Sequence, residues 1–466
     1  MRFKAVDTEI IEQLKNLLGT ESVFTEPETL KEYAHDETED LYYLPELVVK
    51  PSTTEQVARL MRFCNERNIP VTPRGAGTGL SGGALPIYGG VSLSMERMNK
   101  ILQIDERNLQ AHVEAGVITE VLIDEVAKLN LLYPIDPSSK GSCFIGGNIA
   151  HGSGGPRVLK YGTLRDYILN LEVVLPNGEI MWTGANTLKY ASGYNLTQLM
   201  IGSEGTLGVI TKAVVKLIPK PCYNLLMMAS FPSAELACQA VSAIFRAGMT
   251  PSALEFMERS GIEWVIKYDD IKFEVKNHIE AYLLIEVDGN NLDVLRTDCE
   301  KIGEVLYHHK CEDILLGESA NEKDELWKIR RKMPLSVKAN SVYKEEDTVV
   351  PRAELPTLLK GIKSIGNKYG FKSVCYGHAG DGNLHVNIIK DSMSEHDWKT
   401  KLPLGIKEIM ELTVSLQGTL SGEHGIGLIQ QPYMNIKFSE AHLQLMRNIK
   451  QVFDPKGILN PGKIFN

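Results

Sequence analysis

The hydrophobic positions of this chain switch between two periods. Ile10, Ile11, Leu14, Leu17 and Leu18 recur at helical spacing, with Asp7 and Thr8 as candidate caps and Gly19 as a stop. An acidic stretch over 26–42 follows, and then an apolar run at 46–51 that reads as a strand. Thr53 or Thr54 caps a second helix with Val57, Leu60, Met61 and Cys64 on one face. Strands are expected at 69–72, 91–95 and 111–116, a helix at 119–129, and strands at 169–175 and 209–218. Residues 130–165 are crowded with Pro, Ser and Gly and read as loop. Pro219-Lys220-Pro221 breaks the pattern and marks a candidate boundary. Beyond it a strand at 224–231, a helix at 233–247, a strand at 282–287 and a helix at 292–307 continue the rhythm. This order of elements predicts an α+β protein with mixed sheets in two domains.

Composition narrows the function classes. The 466 residues carry 50 basic and 59 acidic side chains, a net charge of −9, which argues against a nucleic-acid surface. No window holds the roughly 18 to 20 uninterrupted apolar residues of a membrane helix. The N-terminus has neither an apolar leader core nor an Arg-rich, acid-poor transit pattern, so a cytoplasmic protein is expected. The seven cysteines, at 64, 143, 222, 238, 299, 311 and 375, form no CxxC pair. They read as reduced, mostly buried thiols and supply no evident iron–sulfur ligand set.

Residues 73–83 read Pro-Arg-Gly-Ala-Gly-Thr-Gly-Leu-Ser-Gly-Gly, in which Gly77, Gly79 and Gly82 match GxGxxG. A dinucleotide turn of that pattern must open a helix. Here Ala84-Leu85-Pro86-Ile87-Tyr88-Gly89-Gly90 follows, and no Gly-Lys-Ser/Thr closes a P-loop. Two readings remain, a plain tight turn or a loop whose backbone amides converge on a phosphate or pyrophosphate. Arg74, Thr78 and Ser81 could add side-chain donors to the second.

This segment resembles the pyrophosphate loop of the FAD-binding domain of the vanillyl-alcohol oxidase and p-cresol methylhydroxylase (PCMH) superfamily. Pro134 to Ser139 with Ile145 to Ala150, and Gly202 to Thr211, resemble its later signatures in the right order. The resemblance implies a two-part PCMH-type FAD domain over 40–218, after an N-terminal helical segment at 1–39. It implies FAD contacts from Arg74, Gly75, Ala76, Gly77, Thr78, Gly79, Leu80 and Ser81. Further contacts are implied for Pro137, Ser138, Gly141, Ser142, Gly146, Gly147, Asn148, Ser153 and Gly154, and for Glu204, Gly205, Ile210 and Asn460. Some relatives attach FAD covalently through a histidine about where Thr78 stands, so non-covalent FAD is expected here.

The second half carries a different chemistry. Residues 377–387 read Gly-His-Ala-Gly-Asp-Gly-Asn-Leu-His-Val-Asn, a turn that could bring His378 and His385 to one side. Residues 421–427 read Ser-Gly-Glu-His-Gly-Ile-Gly. Imidazole and carboxylate together suit a divalent ion such as Zn, Mn or Fe, and three protein ligands leave room for substrate. Turn histidines and an exposed acidic loop are the plainer reading of the same residues. A third segment, Leu326 to Pro334, contains Arg330-Arg331-Lys332, which alone reads most simply as a solvated helix face.

These segments resemble the C-terminal motifs of the flavin-dependent D-2-hydroxyacid dehydrogenases, and Asn460 to Phe465 resembles the family's ending. A C-terminal FAD-linked oxidase α+β substrate domain over 219–466 is implied, its last segment returning to the flavin. The resemblance makes His378, His385 and Glu423 metal ligands, His424 the base and Arg330 the anchor for the substrate carboxylate. Asn387 aligns with a further site residue, and Lys344 does so across a one-residue gap. Pro334 stands where the hydroxyglutarate enzymes have threonine, which favours a shorter acid. The implied activity is oxidation of a short D-2-hydroxyacid, D-lactate first, with electrons passed to a separate protein such as electron-transferring flavoprotein or an iron–sulfur subunit. A glycolate oxidase or dehydrogenase subunit, an alkyl-dihydroxyacetonephosphate synthase and a non-catalytic accessory flavoprotein are the competing readings. The His–His–Glu set argues against the last two.

Overall fold

The computed structural model describes residues 3–465; Met1, Arg2 and Asn466, the ends of the proposed N-terminal and C-terminal regions, lie outside the described residues. The chain forms two compact units. The first combines the residues up to Gly154 with Thr163–Lys220 and the segment from Glu423 onward. The second is Gly155–Gly162 with Pro221–Gly422.

Two larger sheets and a two-stranded ribbon, Leu131–Leu132 with Ile218–Pro219, build the first unit. One has four strands in the order Val23–Phe24, Leu47–Val49, Val91–Ser94, Val71–Arg74, with the last three parallel to one another. Leu47, Val48 and Val49 are all buried, as expected of a strand covered on both faces. The helix Thr54–Arg67 makes the crossover between two of these strands. The Thr53 side chain accepts from the Gln56 amide, Val57, Leu60, Met61 and Cys64 are buried, and Asn68 ends the helix at φ 57°. Pro73 is tolerated because Val71–Arg74 is the sheet's edge strand. The C-terminal segment covers that edge: the Val71 amide donates to Ile458, and the Asn460 amide donates back to Val71.

The second sheet is antiparallel, in the order Ile101–Asp105, Gln110–Glu114, Val209–Lys216, Ile168–Val174, Ile180–Trp182. The strand Ile101–Asp105 escapes the sequence pattern because it is a half-exposed edge with little apolar alternation. The larger departure is at 130–165, where the structure has a helix, Ile145–His151, in place of loop. Gly146 and Gly147 obscured it, since glycine is a poor helix former. Tertiary contact explains their presence. A Cβ on Gly146 would meet Ala115 Cβ at 2.6 Å, and one on Gly147 would approach Gly75 Cα at 3.9 Å. The helix gives up propensity for close approach.

The second unit is one seven-stranded antiparallel sheet. Its order is Asp313–Gly317, Tyr223–Phe231, Ala281–Gly289, Ala253–Glu258, Lys372–Gly377, Asn383–Ile389, Tyr343–Val349. The strand at 223–231 and the helices Ala234–Arg246 and Leu292–His308 fall within about a residue of the sequence pattern. On one face, Leu226, Met228, Met257, Leu284 and Tyr376 pack against Ile262 and Val265 of the helix Arg259–Asp269. Trp327, Ile329, Met333 and Val337 of the helix Ala320–Asn340 complete this core. That face matters for function, because the chemistry-bearing residues stand on it too. No helix among the described residues is long and apolar enough to cross a membrane.

Candidate active site

In the first unit the loop after Val71–Arg74 is built to receive an anion. Among the described residues, no N–H from Gly75 to Ser81 donates to a protein acceptor. Arg74 Nη1, Ser81 Oγ and His151 Nδ1 are buried there without a protein partner. Such donors inside a folded unit point to a bound group. Burial lowers the Arg74 pKa, with Asp36 opposing, and burial raises the Asp36 carboxyl, against donors from Thr38 and the charge of Arg74. Gly75 lies within reach of Gly147, and Gly79 and Gly83 face the His151 ring. The Ile426 and Gly427 amides donate to the Glu204 carboxylate, and Asn460 Nδ2 donates to the carbonyls of Gly83 and Glu204. Glu204 itself sits at φ 50°, a strained conformation for a side-chain-bearing residue. Arg74, Gly75, Gly79, Gly147, Glu204, Gly205 and Asn460 are thus gathered around one loop.

The other residues proposed for the cofactor are placed less uniformly. Ser138, Gly141 and Ser142 are exposed in the turns that lead into Ile145–His151. Asn148 is buried and its amide donates to Thr119 Oγ1 at 2.6 Å, so it holds its helix in place. Ile210 is buried in the strand Val209–Lys216. Gly154 backs onto the Glu423 side chain, where an added Cβ would stand 2.5 Å from Oε2. His424 is half-buried, and the next residue, Gly425, packs against His151 and Glu204. Glu423 and His424 therefore belong to the flavin-loop unit.

The second unit supplies the remaining polar residues from one sheet face. Side chains alternate along a strand, and directly paired residues share a face. His385 pairs with Asp347 and Tyr376, and Asn387 with Glu345 and Val374. His378 follows the strand Lys372–Gly377 at the tip of the turn into Asn383–Ile389. In that turn Gly382 adopts φ 85° against the Val350 carbonyl, a position closed to any side chain. The His378 and His385 rings stand 5.4 Å apart at 81°. His385 Nδ1 lies 3.7 Å from carboxylate oxygens of both Glu345 and Asp347. Asp347 in turn accepts from Ser421 Oγ, the Gly422 amide and Asn383 Nδ2, which pins the end of this unit.

Arg330 reaches the same face from the helix Ala320–Asn340. It is 4% exposed, which rules out the solvated-face reading for this residue. Its Nε donates to Glu255 Oε2 at 2.7 Å and its guanidinium lies 5.0 Å from the Tyr376 ring centroid. Neither Nη donates to a described residue, so the planar fork keeps two donors for a carboxylate. Glu255 also receives His378 Nδ1, at 2.8 and 2.9 Å from its two oxygens. Burial pushes the Glu255 carboxyl up, but His378 and Arg330 outweigh it and hold it below the ordinary value. The carboxylate puts the imidazole proton on Nδ1 and the lone pair on Nε2, the usual arrangement of a histidine that ligates a metal. The donor set fits a divalent ion.

Lys344 is a correction. It pairs with Ile388, one residue out of phase with His385 and Asn387, so its side chain leaves the sheet on the opposite face. Two site residues were missed. Glu255 could have been suspected as an acid inside the apolar run Ala253-Leu254-Glu255-Phe256-Met257, since an unpaired charge does not persist in a buried strand. His151 carried no comparable signal.

The folding pattern and the amide-lined loop are those of an α+β protein suited to hold a phosphorylated cofactor. Residues 45–184 match the FAD binding domain family, and residues 220–464 match the family of FAD linked oxidases, C-terminal domain. The chain belongs to that FAD-linked oxidase family. It is 38% identical to a glycolate oxidase subunit of Bacillus subtilis, across 99% of this chain and 97% of that protein. It is 37% identical to a D-lactate dehydrogenase of Anaerostipes hadrus, across 99% and 98%. A D-2-hydroxyglutarate dehydrogenase of Stutzerimonas stutzeri is 32% identical across 98% and 99%. Among solved structures, p-cresol methylhydroxylase shares the fold at TM-score 0.82 and 19% identity, covering 99% of this chain and 98% of that one. The protein is thus an FAD-linked oxidoreductase of the type that includes these hydroxyacid enzymes.

Proposed function

We propose that the protein oxidises a short D-2-hydroxyacid, D-lactate foremost, to the 2-oxoacid and passes the electrons to a separate protein. The observation that carries this reading is the buried Arg330, with two unspent donors, set beside His378 on the face that also bears His385 and Asn387. A planar guanidinium in that setting suits a small carboxylate. Relatives named D-lactate dehydrogenase and glycolate oxidase subunit support the substrate class, and glycolate is the second reading.

Arg330 takes the substrate carboxylate, and Asn387 offers a buried amide to the same region. His424 removes the hydroxyl proton, a task for a group that titrates near neutrality. His378, His385 and Glu423 hold a divalent ion, Zn, Mn or Fe, which supplies Lewis acidity to the hydroxyl. FAD, held non-covalently by the loop at 74–81 with Glu204 and Asn460, supplies the two-electron oxidation. We assign flavin binding to 40–218 and substrate and metal binding to 219–466. The acceptor is electron-transferring flavoprotein or an iron–sulfur subunit. We place the reaction in the cytoplasm, which agrees with seven cysteines in free thiol form.

Dye-coupled turnover across D-lactate, L-lactate, glycolate and D-2-hydroxyglutarate tests the proposal. The highest kcat/KM is expected for D-lactate. Turnover confined to the five-carbon acid would reject the short-acid reading.

A further inference from the structure

We propose that Glu255 is the positioning residue that holds the substrate arginine and a metal-binding histidine in a fixed relation; this rests on the roles given above to Arg330 and His378. Glu255 stands on the strand Ala253–Glu258 and is 0% exposed. One carboxylate serves two donors from different elements. Arg330 Nε comes from the helix Ala320–Asn340, and His378 Nδ1 from the tip of the turn at 378–382. A carboxylate accepts along both oxygens and donates nothing, so it satisfies both donors at once.

The consequences are chemical as well as geometric. Accepting from Nδ1 places the His378 lone pair on Nε2, the nitrogen that would ligate a metal. Accepting from Nε rather than Nη turns the Arg330 fork so that both Nη atoms serve the substrate. Glu345 and Asp347 stand beside His385 on the same face, while Glu255 is hydrogen-bonded to both Arg330 and His378 and so ties the anion-binding and cation-binding side chains together.

Glutamine has one acceptor oxygen where glutamate has two, and its amide opposes one of the two donors. Flavin-loaded Glu255→Gln, stripped of divalent ions and titrated with Mn2+ alone by calorimetry, is expected to show a Kd about 10- to 100-fold above wild type. KM for D-lactate is expected to rise in parallel, at unchanged flavin content. In a His378→Ala background the same substitution is expected to change the Mn2+ Kd less than threefold, because Glu255 acts through that imidazole. An unchanged Kd and KM in folded Glu255→Gln, or a full additive loss in the double variant, would overturn the proposal.

A measurement on the wild-type protein covers the case in which the variant does not fold. With 15N-histidine labelling and no metal, His378, assigned through His378→Ala, is expected to carry its proton on Nδ1. A bare Nδ1 would reject the role of Glu255. Wild-type protein that binds no Mn2+ would instead remove the metal reading, and the Nδ1 result would then judge the arrangement around Glu255 by itself.

Discussion

At the scale of single residues, the site depends on charges that burial makes expensive and partners make tolerable. Arg330 is the clearest case. Lysine keeps the charge but not the planar fork, so Arg330→Lys is expected to raise KM for D-lactate by roughly 10- to 100-fold, about 1.4 to 3 kcal/mol of lost charge-assisted hydrogen bonding. Steady-state kinetics with a dye acceptor reads this directly. His424→Ala is expected to lower kcat by roughly two to four decades if the imidazole is the base, with flavin content unchanged. The two residues differed in legibility. The motif around His424 stands out in one dimension, with glycines on both sides. Arg330 lay in a basic run that reads as surface, and only the fold shows that it is buried while Lys328, near in sequence, pairs at the surface with Asp269. Glu255 stood out only as an acid inside an apolar run, and its role was illegible because its partners lie 75 and 123 positions away.

At the scale of elements, close approach replaces propensity at Ile145–His151. Gly146→Ala places a methyl 2.6 Å from the Ala115 side chain. Overpacking of this kind costs about 1 to 3 kcal/mol, so a lower melting temperature and weaker FAD retention are expected, read by thermal denaturation and the ratio of flavin to protein absorbance. The same reasoning explains the missed helix: glycines that serve contact between elements look, in sequence, like glycines that serve turns. The C-terminal segment offers a pH test. Lys463 is buried, donating to the Leu85 carbonyl and to Asn460 Oδ1, and burial lowers it to about 8 against the charges of Glu204 and Asp36. Its ordinary value is 10.5. Between those values the unfolded chain holds a proton that the folded chain has shed, so stability rises with pH there, by up to about 1.4 kcal/mol per pH unit. The melting temperature of wild type minus that of Lys463→Met is expected to climb from pH 8 to pH 10. A flat difference would show that the ammonium titrates normally in the fold.

At the scale of the whole molecule, the net charge of −9 means that the anion binding proposed for this chain must rest on local arrangements. The amides at 75–81 and the Arg330 fork are fixed donors that act at contact distance, whereas the field of the net charge is screened beyond about 10 Å. The fold class and most regular elements were legible because they rest on period and capping, as at Thr53 and in the strand at 223–231. The polar face of the seven-stranded sheet was legible only in pieces. Register decides it: one residue of phase separates Asn387 from Lys344, and that phase is set by pairing with a distant strand.

Oxidation of a short D-2-hydroxyacid is the activity proposed for this flavoprotein. Mixing the purified, FAD-loaded protein with D-lactate in the absence of oxygen and of any acceptor tests it most directly. Rapid loss of the yellow flavin absorbance with stoichiometric pyruvate is expected, with little response to L-lactate, and Arg330→Lys is expected to need roughly 10- to 100-fold more D-lactate for the same bleaching. An unbleached spectrum with D-lactate, glycolate and longer hydroxyacids alike, in protein whose FAD is reducible by dithionite, would contradict it.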